Sequence, residues 1–395
     1  MRAYSNSTTP NPIPATFLRG GTSKGIFINR AHLPANQSDW DRIFLGIMGS
    51  PDSEYGRQLN GMGGGVSSLS KICVVGEPSS DQKSQGIQAE YTFVQVGIRD
   101  TSIDVSGNCG NLSSMIGVFA LDEKICHQPT PNGDRITIRS FNTNTRKIID
   151  TTFPVITTDD GGVTADLNVP EASIAGVPGQ ASQITLEFAN PAGARTGKLF
   201  PTGSPLDVVT VPDPAGTPTN VNVSLVDATN PTVFTSHSEL STFLPVDDFL
   251  AGKQPALANV GEVLEAIRQR GAEGMGLDPS AQAQPKIVLL SSPKETDLAE
   301  GVDIVIHALS MEVLHKAVPM TVGLCLGVAS NVQGTLAWEI IQRSRARRET
   351  DPGFIRIMHP SGTVDVGAEF SSDGVVKSAM VMRTGRRLMK GVVWW

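Results

Sequence analysis

Residues 106–121, SGNCGNLSSMIGVFAL, place one cysteine between two Gly/Asn pairs, directly before an apolar run. The run predicts a buried helix that starts just after Cys109 and ends near Leu121. The first N–H groups of such a helix would point at the thiol, and the positive end of the helix dipole favours a thiolate. Cys109 is therefore either a packed structural thiol or an acid–base group, and the neighbouring residues alone fit both.

Composition excludes several classes of protein. The 395 residues are 39% hydrophobic and 18% charged, and they include 40 Gly and 26 Pro. A chain of this length exceeds one typical hydrophobic core, so two domains are expected. The formal net charge of −7, without a long basic run, argues against nucleic acid as a partner. There is neither an apolar N-terminal segment nor an 18-residue apolar span, so we expect a cytoplasmic protein that does not bind membranes.

Motifs for metals and common cofactors are missing from the sequence. The four cysteines, at 73, 109, 126 and 325, are widely spaced and form no CxxC pair, which argues against a zinc ribbon or a disulfide framework. No HExxH, GxxxxGK[ST] or GxSxG pattern occurs, so a catalytic zinc, a Walker A loop and a serine-hydrolase elbow are not predicted. We expect no metal and no cofactor.

The order of predicted elements indicates an α+β protein. Helices are predicted from about Trp40, at 256–272, at 296–306 and from about Met311, with Pro319 breaking or starting an element. Short strands fill most of the remainder, and the order of strands, buried helix and strands occurs twice, with 109–121 and 320–337 as equivalent helices. We expect a flexible tail at 1–14, a first lobe at 15–188, a second, similar lobe at 189–377, and a ligand-binding cleft between the lobes.

Two further segments carry side chains suited to chemistry on an anion. Lys71 ends GGGVSSLSK, and a partly desolvated lysine can act as a base near neutral pH; an exposed lysine at a strand start is the plainer interpretation. The segment RGGTSK at 19–24 combines glycine N–H groups, two hydroxyls and two cations, which suits an anion-binding nest. For His315, a hydrogen-bonded structural histidine is the plainer interpretation.

Together these segments resemble the PrpF family, the 2-methylaconitate and aconitate isomerases of the diaminopimelate-epimerase-like superfamily. Seven segments carry the resemblance, in the family's order: ATFLRGGTSKGIFI (15–28), SSLSK (67–71), GNCGN (107–111), GKLFPTG (197–203), HKAVPMTVG (315–323), HPSG (359–362) and RTGRRLMKG (383–391). The resemblance implies that each lobe is a mixed β-sheet or barrel wrapped around a central helix. It also implies an active site in the interlobe cleft, a C-terminal strand (378–395) that completes lobe 1, and no cofactor.

By matching motif, Lys71 and Cys109 fall at the family's proton-transfer positions. The implied reaction removes a proton from an allylic CH2 and returns one at the other end of the allyl system, which moves the double bond. Residues that would hold the substrate and its developing charge are Arg19, Thr22, Ser23, Lys24, Ser67, Ser68, Asn108, Gly110, Asn111, His315 and Lys316. The expected partner is a small di- or tricarboxylate, and a homodimer is a possible assembly.

Several functions remain open at this point. Aconitate, converted from cis to trans, is the expected substrate; 2-methylaconitate, methylitaconate and 4-oxalomesaconate are close alternatives. An amino-acid epimerase or proline racemase would need a second thiol facing Cys109. Cys325, the one cysteine of the predicted second lobe, lies within an apolar run typical of a buried helix. A non-catalytic, metabolite-binding member of the family is the third possibility.

Overall fold

The protein forms two compact units of mixed α+β structure. The computed structural model describes residues 10–126, 130–159, 161–281, 284–310, 313–315, 317–346 and 353–395. Unit 1 comprises the chain up to residue 187 together with residues 382–395, and unit 2 comprises residues 188–381.

The strands are numbered along the chain. They are β1 (Ile13–Gly20), β2 (Ser23–Asn29), β3 (Lys71–Gly76), β4 (Ala89–Val96), β5 (Ile103–Asp104), β6 (Arg135–Asn142), β7 (Lys147–Thr157), β8 (Val163–Ala165), β9 (Ile184–Ala189), β10 (Asp207–Pro212), β11 (Pro218–Ala228), β12 (Asn230–Ser236), β13 (Lys286–Ser291), β14 (Ile304–Ser310), β15 (Val313–Leu314), β16 (Phe354–His359), β17 (Gly362–Phe370), β18 (Val376–Arg383) and β19 (Gly385–Val393).

The helices among the described residues are fewer than the strands. They are α1 (Trp40–Met48), α2 (Ser80–Ser84), α3 (Gly110–Ser113), α4 (Ile116–Asp122), α5 (His237–Leu240), α6 (Val246–Leu250), α7 (Ala256–Gly274), α8 (Glu295–Ala299), α9 (Met320–Ala329) and α10 (Leu336–Arg345). Single 3₁₀ turns lie at Arg30–His32, Gln37–Asp39 and Ser67–Leu69. None of the helices in these described ranges has the length and apolar character needed to cross a bilayer.

The sheet of unit 1 has the strand order β19-β1-β2-β3-β4-β6-β7. Its neighbours are antiparallel except at β2–β3 and β4–β6, and β5 pairs with the end of β4. Side chains alternate between the two faces of β2. Ile26 and Ile28 join the core that contains α1, whereas Phe27 contacts Phe119 of α4 with ring centroids 5.6 Å apart. The sheet therefore has α1 on one face and α4 on the other.

Unit 2 repeats this pattern of pairing. Its strand order is β10-β11-β12-β13-β14-β16-β17-β18, with parallel neighbours at β12–β13 and β14–β16 and the short β15 paired with the end of β14. In unit 1 the chain passes from β5 into α3, and in unit 2 it passes from β15 into α9. Cys109 and Pro319 are the N-cap residues of these two helices.

The helix predicted from Cys109 to Leu121 is in fact two helices. α3 ends at Ser113 and α4 begins at Ile116. The hydroxyl of Ser113 donates to the carbonyl of Cys109 (3.1 Å), and that of Ser114 donates to the carbonyl of Asn111 (2.7 Å). Serine hydroxyls that bond back to earlier carbonyls compete with the helical N–H groups and bend helices. The two serines thus account for the interruption.

Of the helices predicted in unit 2, one is confirmed and others are wrong in part. The helix predicted at 256–272 is confirmed as α7. The one predicted at 296–306 is wrong beyond Ala299, because residues 304–310 pair with both β13 and β16 as β14. The helix start predicted near Met311 lies outside the described residues, and 313–314 is a strand. A helix does begin directly after Pro319, whose fixed φ suits a helix start, but it ends at Ala329, short of the expected 337.

Two glycines of α7 should respond oppositely to alanine. A Cβ on Gly271 would lie 2.5 Å from Val233 Cγ2, whereas one on Gly261 would lie 4.0 Å from its nearest neighbour, Phe249 Cε2. We expect Gly271→Ala to lower the free energy of unfolding by ~1–2 kcal/mol through overpacking. Gly261→Ala should raise it by about 0.5–1 kcal/mol through helix propensity. Urea denaturation followed by far-UV circular dichroism measures both, and a stabilised G271A would contradict this packing of α7.

Candidate active site

A close contact between the β1–β2 turn and α3 builds the candidate site in unit 1. A Cβ on Gly20 would lie 2.3 Å from the backbone oxygen of Asn111, and one on Gly21 would lie 2.3 Å from Oδ1 of the same residue. Gly21 also has a φ of +52°, which favours glycine. The two glycines of RGGTSK therefore allow the turn to reach the helix start, and Thr22 accepts a hydrogen bond from Asn111 Nδ2 (3.1 Å).

Cys109 lies at the N-cap of α3, half-buried, with extended backbone angles. Its Sγ is 3.8 Å from Oγ of Ser23, the buried first residue of β2. The N–H groups of Gly110 and Asn111, at the start of α3, have no partner within the helix. Because α3 is a single turn, these local donors matter more than the long helix dipole expected from the sequence.

A hydrogen-bond network of Tyr91, Asn108 and Ser113 supports the segment around Cys109. Tyr91 donates to Oδ1 of Asn108 (3.3 Å), and its hydroxyl lies 2.9 Å from that of Ser113. Asn108 Nδ2 also donates to Ser113 Oγ (3.1 Å). Burial raises the pKa of Tyr91 well above its usual value, so the phenol stays protonated and remains a donor. Through these bonds Asn108 stabilises the conformation of the segment around Cys109.

Lys71 is the first residue of β3 and is only 8% exposed. Its Nζ donates to Oε1 of Gln95 (2.6 Å), its cross-strand partner, and lies 4.9 Å from the centroid of the Phe93 ring. Nε2 of Gln95 donates to the carbonyls of Ser70 (2.9 Å) and Ser67 (3.2 Å). These two bonds fix the amide so that its oxygen faces the ammonium group.

The electrostatics of Cys73 connect Lys71 with Cys109. Cys73 is buried on β3, two residues after Lys71 and so on the same face of the strand. Burial raises its pKa, the charge of Cys109 raises it further, and the charge of Lys71 opposes the rise. The geometry relates the two groups through β2: a Cβ on Gly25 would lie 2.9 Å from the carbonyl oxygen of Lys71, and Oγ of Ser23, on the same face of the strand, is 3.8 Å from Sγ of Cys109.

Arg383 is a member of the site that the sequence analysis missed. Its Nε donates to Oδ1 of Asn111 (3.0 Å), and burial lowers its pKa to about 10, an effect that the charge of Cys109 opposes. The segment RTGRRLMKG was noted as part of the family resemblance, but a basic motif at residues 383–391 gives no sign that its first arginine returns to residue 111.

Other residues predicted for the site make different contacts. Arg19 Nη1 donates to the carbonyls of Gly21 (2.9 Å) and Thr384 (3.2 Å), so this arginine braces the turn. Lys24 follows Ser23 on the opposite face of β2, with its Nζ 5.7 Å from the Phe17 ring centroid. Ser67 and Ser68 lie in the 3₁₀ turn before β3, where Ser67 offers its backbone carbonyl to Gln95.

In unit 2, His315 directly follows β15, and its N–H donates to the carbonyl of Ala308 (2.9 Å). Burial, and then the charge of Lys286, lower its pKa, so the imidazole is neutral at pH 7 and can offer a hydrogen bond rather than a charge. Lys316 lies outside the described residues. Cys325 is fully buried on α9, where its Sγ donates to the carbonyl of Val226 (3.6 Å). The expectation that Cys325 lies on a buried helix is confirmed.

The site carries positive charge without matching acids. Across the described ranges, Arg19, Lys71 and Arg383 form no ion pair with any carboxylate. Arg387, by comparison, makes a two-pronged pair with Asp122 through Nε and Nη2, both at 2.7 Å. Partly buried cations that lack counterions suit an anionic ligand.

Comparison with known proteins identifies the family. A family model described as PrpF protein matches residues 11–395. The 3-methylitaconate isomerase of Eubacterium barkeri is 33% identical over 97% of each chain, and the 2-methyl-aconitate isomerase of Shewanella oneidensis is 34% identical over 96% of each. A crystal structure of methylitaconate-delta-isomerase matches with a TM-score of 0.80 and 31% identity, covering 97% of this chain and 95% of that one. The protein is an isomerase, and its chain belongs to the PrpF family.

Proposed function

We propose that this isomerase moves the double bond of a small unsaturated tricarboxylate by a 1,3-proton shift, with aconitate (cis to trans) as the substrate. One observation carries the proposal. Lys71 and Cys109 both adjoin β2, since Gly25 lies against the carbonyl of Lys71 and Ser23 lies beside the thiol of Cys109, and among the described residues the cations of this site form no ion pair with a carboxylate. A polycarboxylate would supply the missing negative charges, and the two proton-transfer groups would act on the carbon chain between them.

The acidity of the substrate explains why two groups are needed. An allylic CH2 beside a carboxylate loses a proton only if the resulting carbanion is delocalised through the C=C and the carboxylate. One of Lys71 and Cys109 removes that proton, and the other returns a proton at the far end of the allyl system. The reverse reaction uses the same pair with the roles exchanged. A positioned acid or base typically contributes ~10²–10⁴-fold to the rate.

The charge that develops on the dienolate needs fixed donors. The free N–H groups of Gly110 and Asn111 at the start of α3 and the hydroxyl of Ser23 beside Cys109 are held in place by the close-packed turn. Donors that are already oriented stabilise a developing oxyanion without reorganisation. We assign these three residues to that task, and Thr22 to the support of Asn111. The predicted contributions of Ser67, Ser68, Lys24 and His315 stay predictions.

A two-thiol epimerase or racemase is a poorer match to the thiols that are described. Burial raises the pKa of Cys325 to about 12 and that of Cys126 to about 11. Pro319, the N-cap of α9, takes the topological position in unit 2 that Cys109 has in unit 1. The position from which a second cysteine would act as an acid–base group therefore holds a residue without a titratable side chain.

The relatives support the class of substrate but not the choice within it. By name they act on 3-methylitaconate and 2-methyl-aconitate. The second acid has one methyl group more than aconitate, and the first has a methyl group and one carboxylate fewer. These two acids and 4-oxalomesaconate share the acidic allylic C–H group from which the proposed mechanism removes a proton. They are therefore the alternative substrates to test if aconitate fails.

Proton NMR in D2O tests the reaction and the substrate together. Purified protein is added to cis-aconitate and, separately, to trans-aconitate. We expect interconversion with deuterium incorporated at the allylic carbon, because the shifted proton exchanges with solvent. Cys109→Ser and Lys71→Met should each lower the rate at least ~100-fold, since each removes a positioned acid or base.

Cys126→Ser is the matched control, because it removes a thiol that has no part in the proposed mechanism and should leave the rate unchanged. A fully active C109S would remove Cys109 from the mechanism. Absence of exchange with both acids would reject aconitate and move the assay to the three alternatives, and absence of exchange with all of them would reject the proposed function.

Alkylation with iodoacetamide at pH 8 tests the reactivity of Cys109. A thiol with a pKa of about 11, such as Cys126, is ionised in roughly one molecule in a thousand at this pH. The pKa values of Cys73 and Cys325 are also raised by burial, so these thiols react slowly as well. We expect mass spectrometry to find Cys109 labelled first and protected by tricarboxylates. Equal labelling of all four cysteines in the native protein would count against an activated thiol.

A further inference from the structure

Arg383 reaches the candidate site from the far end of the sequence. It is the last residue of β18, and its guanidinium donates through Nε to Asn111 Oδ1 (3.0 Å) and through Nη1 to the carbonyl of Met382 (2.8 Å). The β1–β2 turn lies directly against its stem, since a Cβ on Gly21 would be 3.2 Å from Arg383 Cδ. The side chain is therefore fixed between the turn and the start of α3.

The guanidinium has an unused donor and no counterion. Within the described part of the chain Nη2 of Arg383 has no hydrogen-bond partner, and no carboxylate pairs with this residue. Arg383 is half-buried, and a partly buried cation without an anion beside it is unfavourable. A pKa of about 10 still leaves the group protonated at neutral pH. The local structure thus keeps a positive charge and a free N–H close to Cys109.

We propose that Arg383 binds a carboxylate of the substrate beside Cys109. This inference rests on the proposed function and adds to it the residue that receives the charge. A guanidinium offers a planar fork that matches a carboxylate. When the allylic proton leaves, negative charge spreads onto the conjugated carboxylate, so its bond to Arg383 strengthens in the transition state.

Arg19 is less suited to this task, although it was the arginine singled out from the sequence. Its Nη1 is shared among Gly21 O, Thr384 O and Thr384 Oγ1 (3.1 Å), which ties it to the backbone of the turn. Asn111 acts as a positioning residue for Arg383. Its Nδ2 donates to Thr22, so its Oδ1 is turned towards the guanidinium.

Binding of tricarballylate, the saturated analogue of aconitate, tests the assignment without turnover. Isothermal titration calorimetry at pH 7.5 compares wild type with Arg383→Met, Arg383→Lys and Arg386→Met. Arg386 is the exposed arginine of the same motif and serves as the control. We expect the dissociation constant to rise about 10- to 100-fold in R383M, since a bond to a charged group is lost. R383K should be intermediate, and R386M should stay within about two-fold of wild type.

Steady-state kinetics give a second measurement, because a purely structural role of Arg383 would not change kcat and KM in the way expected here. With the acid that the NMR assay identifies, kcat should fall more than KM rises in R383M, because the bond strengthens in the transition state. Asn111→Ala should weaken binding in wild type but add little in the R383M background, since the two residues act as a unit.

The outcomes separate this inference from the proposed function. If R383M and R383K fold, by near-UV circular dichroism, and bind tricarballylate as tightly as R386M, the role of Arg383 is overturned while exchange by wild type still supports the isomerase. Should R383M fail to fold, R383K decides alone, because it retains the charge and loses the fork. A wild-type protein that neither binds a tricarboxylate nor exchanges protons overturns both.

Discussion

The contact between the Gly20-Gly21 turn and Asn111 is the constraint on which the candidate site depends. Neither glycine has space for a side chain. A Cβ on Gly20 would lie 2.3 Å from the backbone oxygen of Asn111, and a Cβ on Gly21 would lie 2.3 Å from Oδ1 of the same residue. The close approach brings Ser23 next to Cys109 and leaves the Asn111 amide between Thr22 and Arg383. A larger residue at either glycine would separate β2 from α3, and with them the hydroxyl from the thiol.

The repeated pairing pattern places different residues at the equivalent helix starts of the two units. β3 and β13 both begin with a lysine, Lys71 and Lys286, and each runs antiparallel to the strand that leads through a short extra strand into a helix. At the helix start, unit 1 has Cys109 and unit 2 has Pro319. The backbone is therefore duplicated while the chemistry is not, which fits a reaction that needs two different proton-transfer groups rather than two thiols.

The sequence predicted well those features that depend on local pattern. The long periodic helix α7, the helix start after Pro319 and the buried state of Cys325 follow from periodicity, from fixed backbone angles and from an apolar run. The sequence did not predict elements whose conformation depends on contacts with distant residues. Ile304–Ser310 is a strand because β13 and β16 flank it, although its residues also fit a helix.

The same limit applies to the site. The motifs identified Lys71, Cys109 and the turn, but the partner of Lys71 is Gln95, and the arginine at Asn111 is 272 residues away. Neither Gln95 nor Arg383 follows from spacing, because both are brought into position by strand pairing. The interruption between α3 and α4 also escaped prediction, since serine hydroxyls that bond backwards are invisible in a hydrophobic pattern.

The pairing of β1 with β19 has a consequence for how the protein is made. Residues 385–393 complete the sheet of unit 1 along Ile13–Gly20, yet they leave the ribosome after the whole of unit 2. During synthesis, the outer edge of β1 therefore stays unpaired while the 364 residues from 21 to 384 emerge, and it is open to wrong partners for that time. Arg383 emerges in the same late stretch. Lys71 and Cys109 are therefore synthesised before unit 2, whereas Arg383 is synthesised after it.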